Sequence, residues 1–159
     1  MSADPESSPY DPALAVRYEW GAERVRAAAV VALAADPPRN FVAQVETALR
    51  AALAQLAFQP ELAHLLLVRP FAGDAEALAY YEDWQRRCAE WLRDAAAREP
   101  SAYEHPSFFE PALVSDICAQ VARQLGADPA RLEDLAPGLL ELVHACYFGP
   151  QRAPRLIDV

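Results

Sequence analysis

Apolar residues recur every three to four positions along this chain, and prolines or glycines separate one periodic stretch from the next. No stretch alternates apolar and polar residues with the period of two that half-buried strands show. Alanine contributes 34 of the 159 residues and glycine only five, a balance that favours helix because alanine has the highest helix propensity. The sequence therefore predicts an all-α fold, an antiparallel helical bundle of about six helices.

The positions of prolines, glycines and helix-capping residues also predict where the helices begin and end. Asp74 is expected to cap one helix, and the Ser107-x-x-Glu110 pattern has the form of a capping box at the start of another. The predicted helices cover residues 11–35, 41–59, 61–69, 75–98, 107–126 and 137–149. We expect one helical domain over 11–149, a disordered tail over 1–10 and a C-terminal tail over 150–159, since a chain of this length has room for one domain.

The charge balance argues against direct binding of nucleic acid. All 14 basic residues are arginine, 23 residues are acidic, and the net charge is -9. A surface that neutralises phosphates needs clustered positive charge, whereas these arginines are dispersed. The polar start of the chain is unlike a signal peptide, and the apolar stretches fall short of the roughly 20 residues of a membrane span. We expect a cytoplasmic protein with no membrane partner.

The order of two segments resembles a known family. FQPELAHLLLVRPFAGDAEALAYYEDW (58–84) precedes RLEDLAPGLLELVHACYFGPQRA (131–153), and this order is similar to that of the C-terminal regulatory domain of TetR-family transcriptional regulators, over about 41–153. The family's N-terminal helix-turn-helix domain has no counterpart here, because 11–35 has the pattern of a single helix. The resemblance implies a homodimer that senses a small apolar effector, with no cofactor and no enzymatic activity.

The resemblance also implies that dimers form through the last two long helices. Both of these helices are apolar over more of their circumference than one buried face requires, which is typical of helices buried on two sides. A larger core within one chain is the alternative interpretation. The predicted interface residues are Leu113, Val114, Ile117, Val121, Leu125, Leu139, Leu140, Val143 and Tyr147.

An effector pocket would draw on the aromatic residues and a few polar neighbours, because ligand pockets are mostly apolar with a small number of orienting groups. The loop 103–109 is the expected entrance, since aromatic residues are unusual in a polar connector. The alternative is that these side chains are plain core. The predicted ligand-binding residues are Phe58, His64, Tyr81, Trp84, Cys88, Trp91, Tyr103, His105, Phe108 and Phe109.

A second hypothesis assigns the chain a di-iron or di-manganese centre. Glu61 and His64, like Glu141 and His144, are three residues apart on a predicted helix, and two such motifs plus a glutamate from each of two further helices form this type of site. Glu61 also follows a proline directly, so the helix dipole alone explains a carboxylate at that position. The sequence favours the regulator over the metalloprotein.

Overall fold

A computed structural model describes residues 12–149, and it consists of six α-helices and two short 3₁₀ helices with no strand in that range. The prediction of an all-α bundle is confirmed. The helices are α1 (Pro12–Ala35), α2 (Phe41–Phe58), α3 (Pro60–Leu67), α4 (Ala75–Ala96), α5 (Phe109–Ala127) and α6 (Ala136–Phe148), with 3₁₀ helices at Arg69–Phe71 and Pro129–Leu135. The predicted tails, 1–10 and 150–159, lie outside the described residues.

Local sequence signals set two of the helix starts. The Asn40 side chain accepts a hydrogen bond from the Ala43 amide at 2.9 Å, and Asp74 accepts one from the Ala77 amide at 3.0 Å. Both side chains satisfy an amide that the first turn of a helix leaves without a partner. The cap predicted at Asp74 is confirmed.

The capping box predicted at Ser107 is wrong. Helix α5 begins two residues later, and no side chain caps it. Glu110 instead turns into the protein, where only 4% of its surface is exposed. The local pattern predicted that the Glu110 carboxylate would cap the helix, but this carboxylate makes tertiary contacts instead.

Helix α3 lies at the centre of the core. It packs on α1, α2 and α5, and the side chains of Ala63, Leu66 and Leu67 are almost completely buried. Helix α1 packs along α2, and α4 packs against α5. No described helix alone has the length and apolar content to cross a membrane, and α2 and the segment 60–71 reach that threshold only as a pair bent by 111°.

The apolar surface of α5 and α6 is buried within the single chain. Helix α5 packs on α3, α4 and the 3₁₀ helix at Pro129–Leu135, and α6 packs on α2. Seven of the nine predicted interface residues are buried in this way: Leu113, Val114, Val121, Leu125, Leu139, Val143 and Tyr147. Only Ile117 and Leu140 remain partly exposed. The apolar circumference of these helices therefore does not require a second chain.

Gly21 allows a close approach between two helices. It is buried in the middle of α1, and a Cβ atom at this position would clash with the side chain of Leu62 on α3. Gly138 lies inside α6, and a Cβ there would meet nothing within 4 Å. The same substitution should therefore have opposite effects at the two positions.

We predict that Gly21→Ala lowers the free energy of unfolding by about 1–2 kcal/mol, because displacing a packed leucine outweighs the better helix propensity of alanine. Gly138→Ala, the matched control, should raise it by up to about 1 kcal/mol. Urea denaturation followed by circular dichroism measures both values. A stabilised Gly21→Ala protein would show that α1 and α3 are not in close contact.

Candidate functional site

The structure divides the ten predicted ligand-binding residues into three groups. Tyr81, Trp84 and Cys88 lie on the inner side of α4, and His105 and Phe109 pack together near the end of α6. The other five are exposed and do not converge: Phe58, His64, Trp91, Tyr103 and Phe108. No single pocket unites the predicted set.

The inner side of α4 contributes to a group of polar side chains inside the core. This interior polar cluster consists of Tyr18, Tyr81, Gln85, Cys88 and Cys118, from α1, α4 and α5. The Tyr18 hydroxyl donates to the Leu66 carbonyl at 2.9 Å, and the Gln85 amide donates to the Tyr81 hydroxyl at 2.6 Å. Gln85 and Tyr81 are neighbours of the Cys118 thiol and lower its pKa in part. No buried side-chain nitrogen or oxygen of the described residues lacks a hydrogen-bond partner, as is usual for buried polar groups.

Every ionisable group of the interior polar cluster is neutral at pH 7. Burial raises the pKa of the Cys88 thiol to about 12 and that of the Cys118 thiol to about 11. Burial also raises the pKa of the Tyr18 and Tyr81 hydroxyls. The physical cause is that a low-dielectric interior disfavours the charged form of each group.

This electrostatic state limits the chemistry that the cluster can perform. A general base needs a pKa near the working pH, and a nucleophilic cysteine needs its thiolate. At neutral pH the interior polar cluster offers neither. Its hydroxyls, thiols and amide can hydrogen-bond an uncharged ligand, and the apolar side chains around them suit an apolar one.

Sequence reasoning found part of this cluster and missed the rest. Tyr81 and Cys88 were identified from the apolar stripe of α4. Gln85 was missed, although it lies four residues after Tyr81 and so faces the same side of the helix. Tyr18 belongs to a different helix, and nothing local to it signals its neighbours in the fold.

A second group of contacts surrounds the only buried charged side chain of residues 12–149, that of Glu110. One carboxylate oxygen accepts hydrogen bonds from Arg93 Nε and Nη2 at 3.2 and 3.1 Å. The other accepts from the Tyr147 hydroxyl at 3.3 Å, and Arg93 also donates to the Ser107 carbonyl at 2.8 Å. Burial and the nearby Glu110 carboxylate raise the pKa of the Tyr147 hydroxyl.

The loop 103–109, predicted as a pocket entrance, is bound to the end of α6. The Tyr103 amide donates to the Tyr147 carbonyl at 2.8 Å, and His105 Nε2 lies 2.9 Å from the Cys146 carbonyl. The His105 ring stacks on Phe109 with centroids 3.6 Å apart. These contacts satisfy carbonyls that the last turn of a helix leaves without partners. The loop therefore acts as a cap on α6.

Two depressions in the described surface lie elsewhere. One, of about 150 Å³, is lined by residues that include Arg39, Gln44 and Arg98. The other, a shallow depression of about 460 Å³, lies between His144, Phe148 and Ser101. Neither is lined by any of the ten predicted ligand-binding residues. The interior polar cluster is packed shut in this conformation, so a ligand would have to separate helices to reach it.

The metal hypothesis finds no support in the geometry. Glu61 and His64 are exposed on α3, Glu141 is exposed on α6, and the His144 ring packs on Phe148 with centroids 5.1 Å apart. Within residues 12–149, no three His, Cys, Asp or Glu side chains converge on a point that could hold an ion. The pairs of residues three apart lie on separate helices that do not bring them together.

We predict that stability falls above pH 9 through the buried thiols. Their pKa values, about 12 and 11, exceed the ordinary value of 9.0, so their contribution is complete below pH 9 and is lost as the unfolded thiols ionise. Between pH 8.5 and 10, the unfolding free energy of the wild type should fall by about 2 kcal/mol more than that of Cys88→Ala/Cys118→Ala. Urea denaturation under reducing conditions tests this. Equal pH dependence in both proteins would contradict it.

We also predict that Arg93→Ala lowers the unfolding free energy by about 2–3 kcal/mol, because it leaves the buried carboxylate of Glu110 with a single hydroxyl partner. Arg86→Ala is the control, since its ion pairs with Asp83 and Glu90 are exposed, and it should stay near wild type. Adding Glu110→Gln to Arg93→Ala should recover part of the loss. Thermal and urea denaturation measure all three, and a double variant no more stable than Arg93→Ala would rule out an unpaired charge as the cause.

Comparison with known proteins identifies no relative, so a functional assignment has to start from the residues described above. Scans of protein-family models and searches of curated proteins and solved structures found no match to the chain. The likeness to TetR regulators therefore rests on the order of the sequence segments alone. What the geometry itself provides is an all-α bundle with an uncharged polar cluster in its interior.

Proposed function

We propose that this chain is a ligand-sensing and dimerising module of the TetR regulator type. The observation that supports it best is the interior polar cluster, which places hydroxyls, thiols and an amide between α1, α4 and α5. A site of this kind suits a small, uncharged, largely apolar effector with a hydrogen-bonding group. Charged ligands would lose their hydration without gaining a counter-charge there.

The effector would act by shifting a conformational equilibrium. The cluster lies where α4 packs on α1 and α5, and in the closed arrangement Gln85 donates to Tyr81 within it. A ligand that occupies the cluster favours the conformation in which these helices are further apart. Because α5 is one of the two helices predicted to form the dimer, such a shift would change the orientation of one copy relative to the other.

The dimer would use the outer faces of α5 and α6. Their large apolar side chains face inward, and the exposed positions carry small residues, which let two helices approach closely, beside the charged Asp116, Arg123 and Glu141. The exposed small residues are Ala112, Ser115, Ala119 and Gly126 on α5 and Gly138 and Ala145 on α6. The interface proposed here keeps the predicted helices but uses their outward residues.

We predict that Gln85→Met weakens the binding of Nile red, an uncharged apolar dye with a carbonyl acceptor, about fivefold to tenfold. Removing one hydrogen bond in a buried site accounts for a change of this size. The control is Gln120→Met, because Gln120 bonds to Asp116 on the exposed side of α5, and it should bind the dye like the wild type.

Dye fluorescence and the emission of Trp84, isolated by Trp20→Phe and Trp91→Phe, give two independent readouts. The Trp84 ring lies 6.5 Å from that of Tyr81, so a ligand in the cluster should change its emission. Saturable binding that leaves Trp84 unchanged and is insensitive to Gln85→Met would contradict the proposed site.

A further inference from the structure

The two surface depressions adjoin each other. Asn40 and Glu99 line both of them, so together they form one end groove, at the end of the bundle where α2 begins and where α4 and α6 stop. Beyond the shared residues, the larger depression is walled mainly by Val42, by Phe148 and by the His144 ring that packs on Phe148. Its volume of about 460 Å³ is large enough for an apolar side chain.

The smaller depression is the cationic half of the end groove. Arg39, from the loop before α2, and Arg98, just after the end of α4, both line it. Most arginines in residues 12–149 pair with a carboxylate, but neither of these two does. Two guanidinium groups at one depression repel each other, and a bound anion offsets that repulsion. A carboxylate suits them because guanidinium groups bind it with paired hydrogen bonds.

Glu99 lies where the two halves meet, and it is the only acidic side chain among the described residues that line the groove. Its carboxylate accepts a hydrogen bond from the Ser101 hydroxyl at 2.7 Å. This bond holds the pKa of Glu99 below its ordinary value, so the group is charged at neutral pH. Along the groove, the described side chains are therefore cationic, then anionic, then apolar.

This order matches the groups of an apolar α-amino acid. Such a ligand carries a carboxylate, an ammonium group and an apolar side chain on one carbon atom. The carboxylate meets Arg39 and Arg98, the ammonium group meets Glu99, and the side chain reaches Phe148. A plain apolar acid leaves Glu99 without a partner beside its own carboxylate, and a plain amine brings a positive charge towards two arginines. Only the zwitterion complements both signs.

We propose that the end groove binds an apolar α-amino acid. The groove is open to solvent and separate from the interior polar cluster, so this site stands or falls independently of the effector site proposed above. An open groove buries only part of a small ligand, and we expect a dissociation constant of about 1 mM.

The test is a titration of the nitrogen-15-labelled protein, followed by nuclear magnetic resonance. The ligands are leucine, isocaproate, which lacks the amine, and isoamylamine, which lacks the carboxylate. Leucine should shift the side-chain amide signals of Asn40 and Gln44, which line the groove, and leave that of Gln85 in the interior polar cluster unchanged. Each analogue should bind about tenfold more weakly, since it loses one charged contact.

Three variants assign the charged contacts. Arg39→Gln/Arg98→Gln should weaken leucine binding about tenfold or more. Arg17→Gln/Arg24→Gln removes the same charge from the exposed surface of α1 and should leave binding unchanged. Glu99→Gln should weaken leucine but tighten isocaproate, because it removes an attraction for the ammonium group and a repulsion of the carboxylate.

The outcomes separate this site from the interior polar cluster. No shift of the Asn40 and Gln44 signals at leucine concentrations far above the expected dissociation constant overturns the end groove. Isocaproate that binds as tightly as leucine, or that responds to Glu99→Gln as leucine does, overturns the assigned ligand. Leucine that shifts Gln85 instead places the ligand in the interior polar cluster, which contradicts the end groove and leaves the proposed effector site standing.

Discussion

The buried carboxylate of Glu110 fixes the arrangement around it. A charge held out of water must keep its partners, and the partners of Glu110 come from α4 through Arg93 and from α6 through Tyr147. Arg93 extends the same network to the loop at Ser107. Three helices and one loop are thus held in register by a single side chain, and the hydrogen bonds of that loop to the end of α6 depend on the same junction.

The interior polar cluster contrasts with this junction. Glu110 is charged and paired, whereas the hydroxyls and thiols between α1, α4 and α5 are neutral, and burial raises their pKa values further. A charged junction resists separation because opening it exposes an unpaired charge. A neutral cluster can exchange one hydrogen-bond partner for another at a smaller cost. The molecule therefore combines a charged, paired junction with an uncharged polar interior, and the proposed sensing role rests on the second of these.

The surface of α1 shows why exposed apolar residues must be judged in three dimensions. The hydrophobic periodicity of α5 and α6 suggested an interface, but α2, α3 and α4 already cover the apolar sides of these helices. Helix α1 has a similar pattern and packs on α2, α3 and α4 with one side only. On its outer side, the side chains of Trp20 and three valines are exposed to solvent. A pattern along one helix records how much apolar surface exists, not which neighbour covers it.

The sequence by itself determined the helices, because helix formation is local: caps at Asn40 and Asp74, a proline at the start of α3 and the period of the apolar residues act within a few positions of each other. It also placed Tyr81 and Cys88 on one face of α4, and the structure turns that face inward. Only the tertiary structure decided that Glu110 pairs with Arg93 instead of capping its own helix. The tertiary structure also decided that Tyr18 and Gln85 lie beside the two cysteines, and that α1, not α5, has an uncovered apolar face. Those choices depend on contacts between residues far apart in the chain, and no local pattern encodes which distant partner a side chain meets.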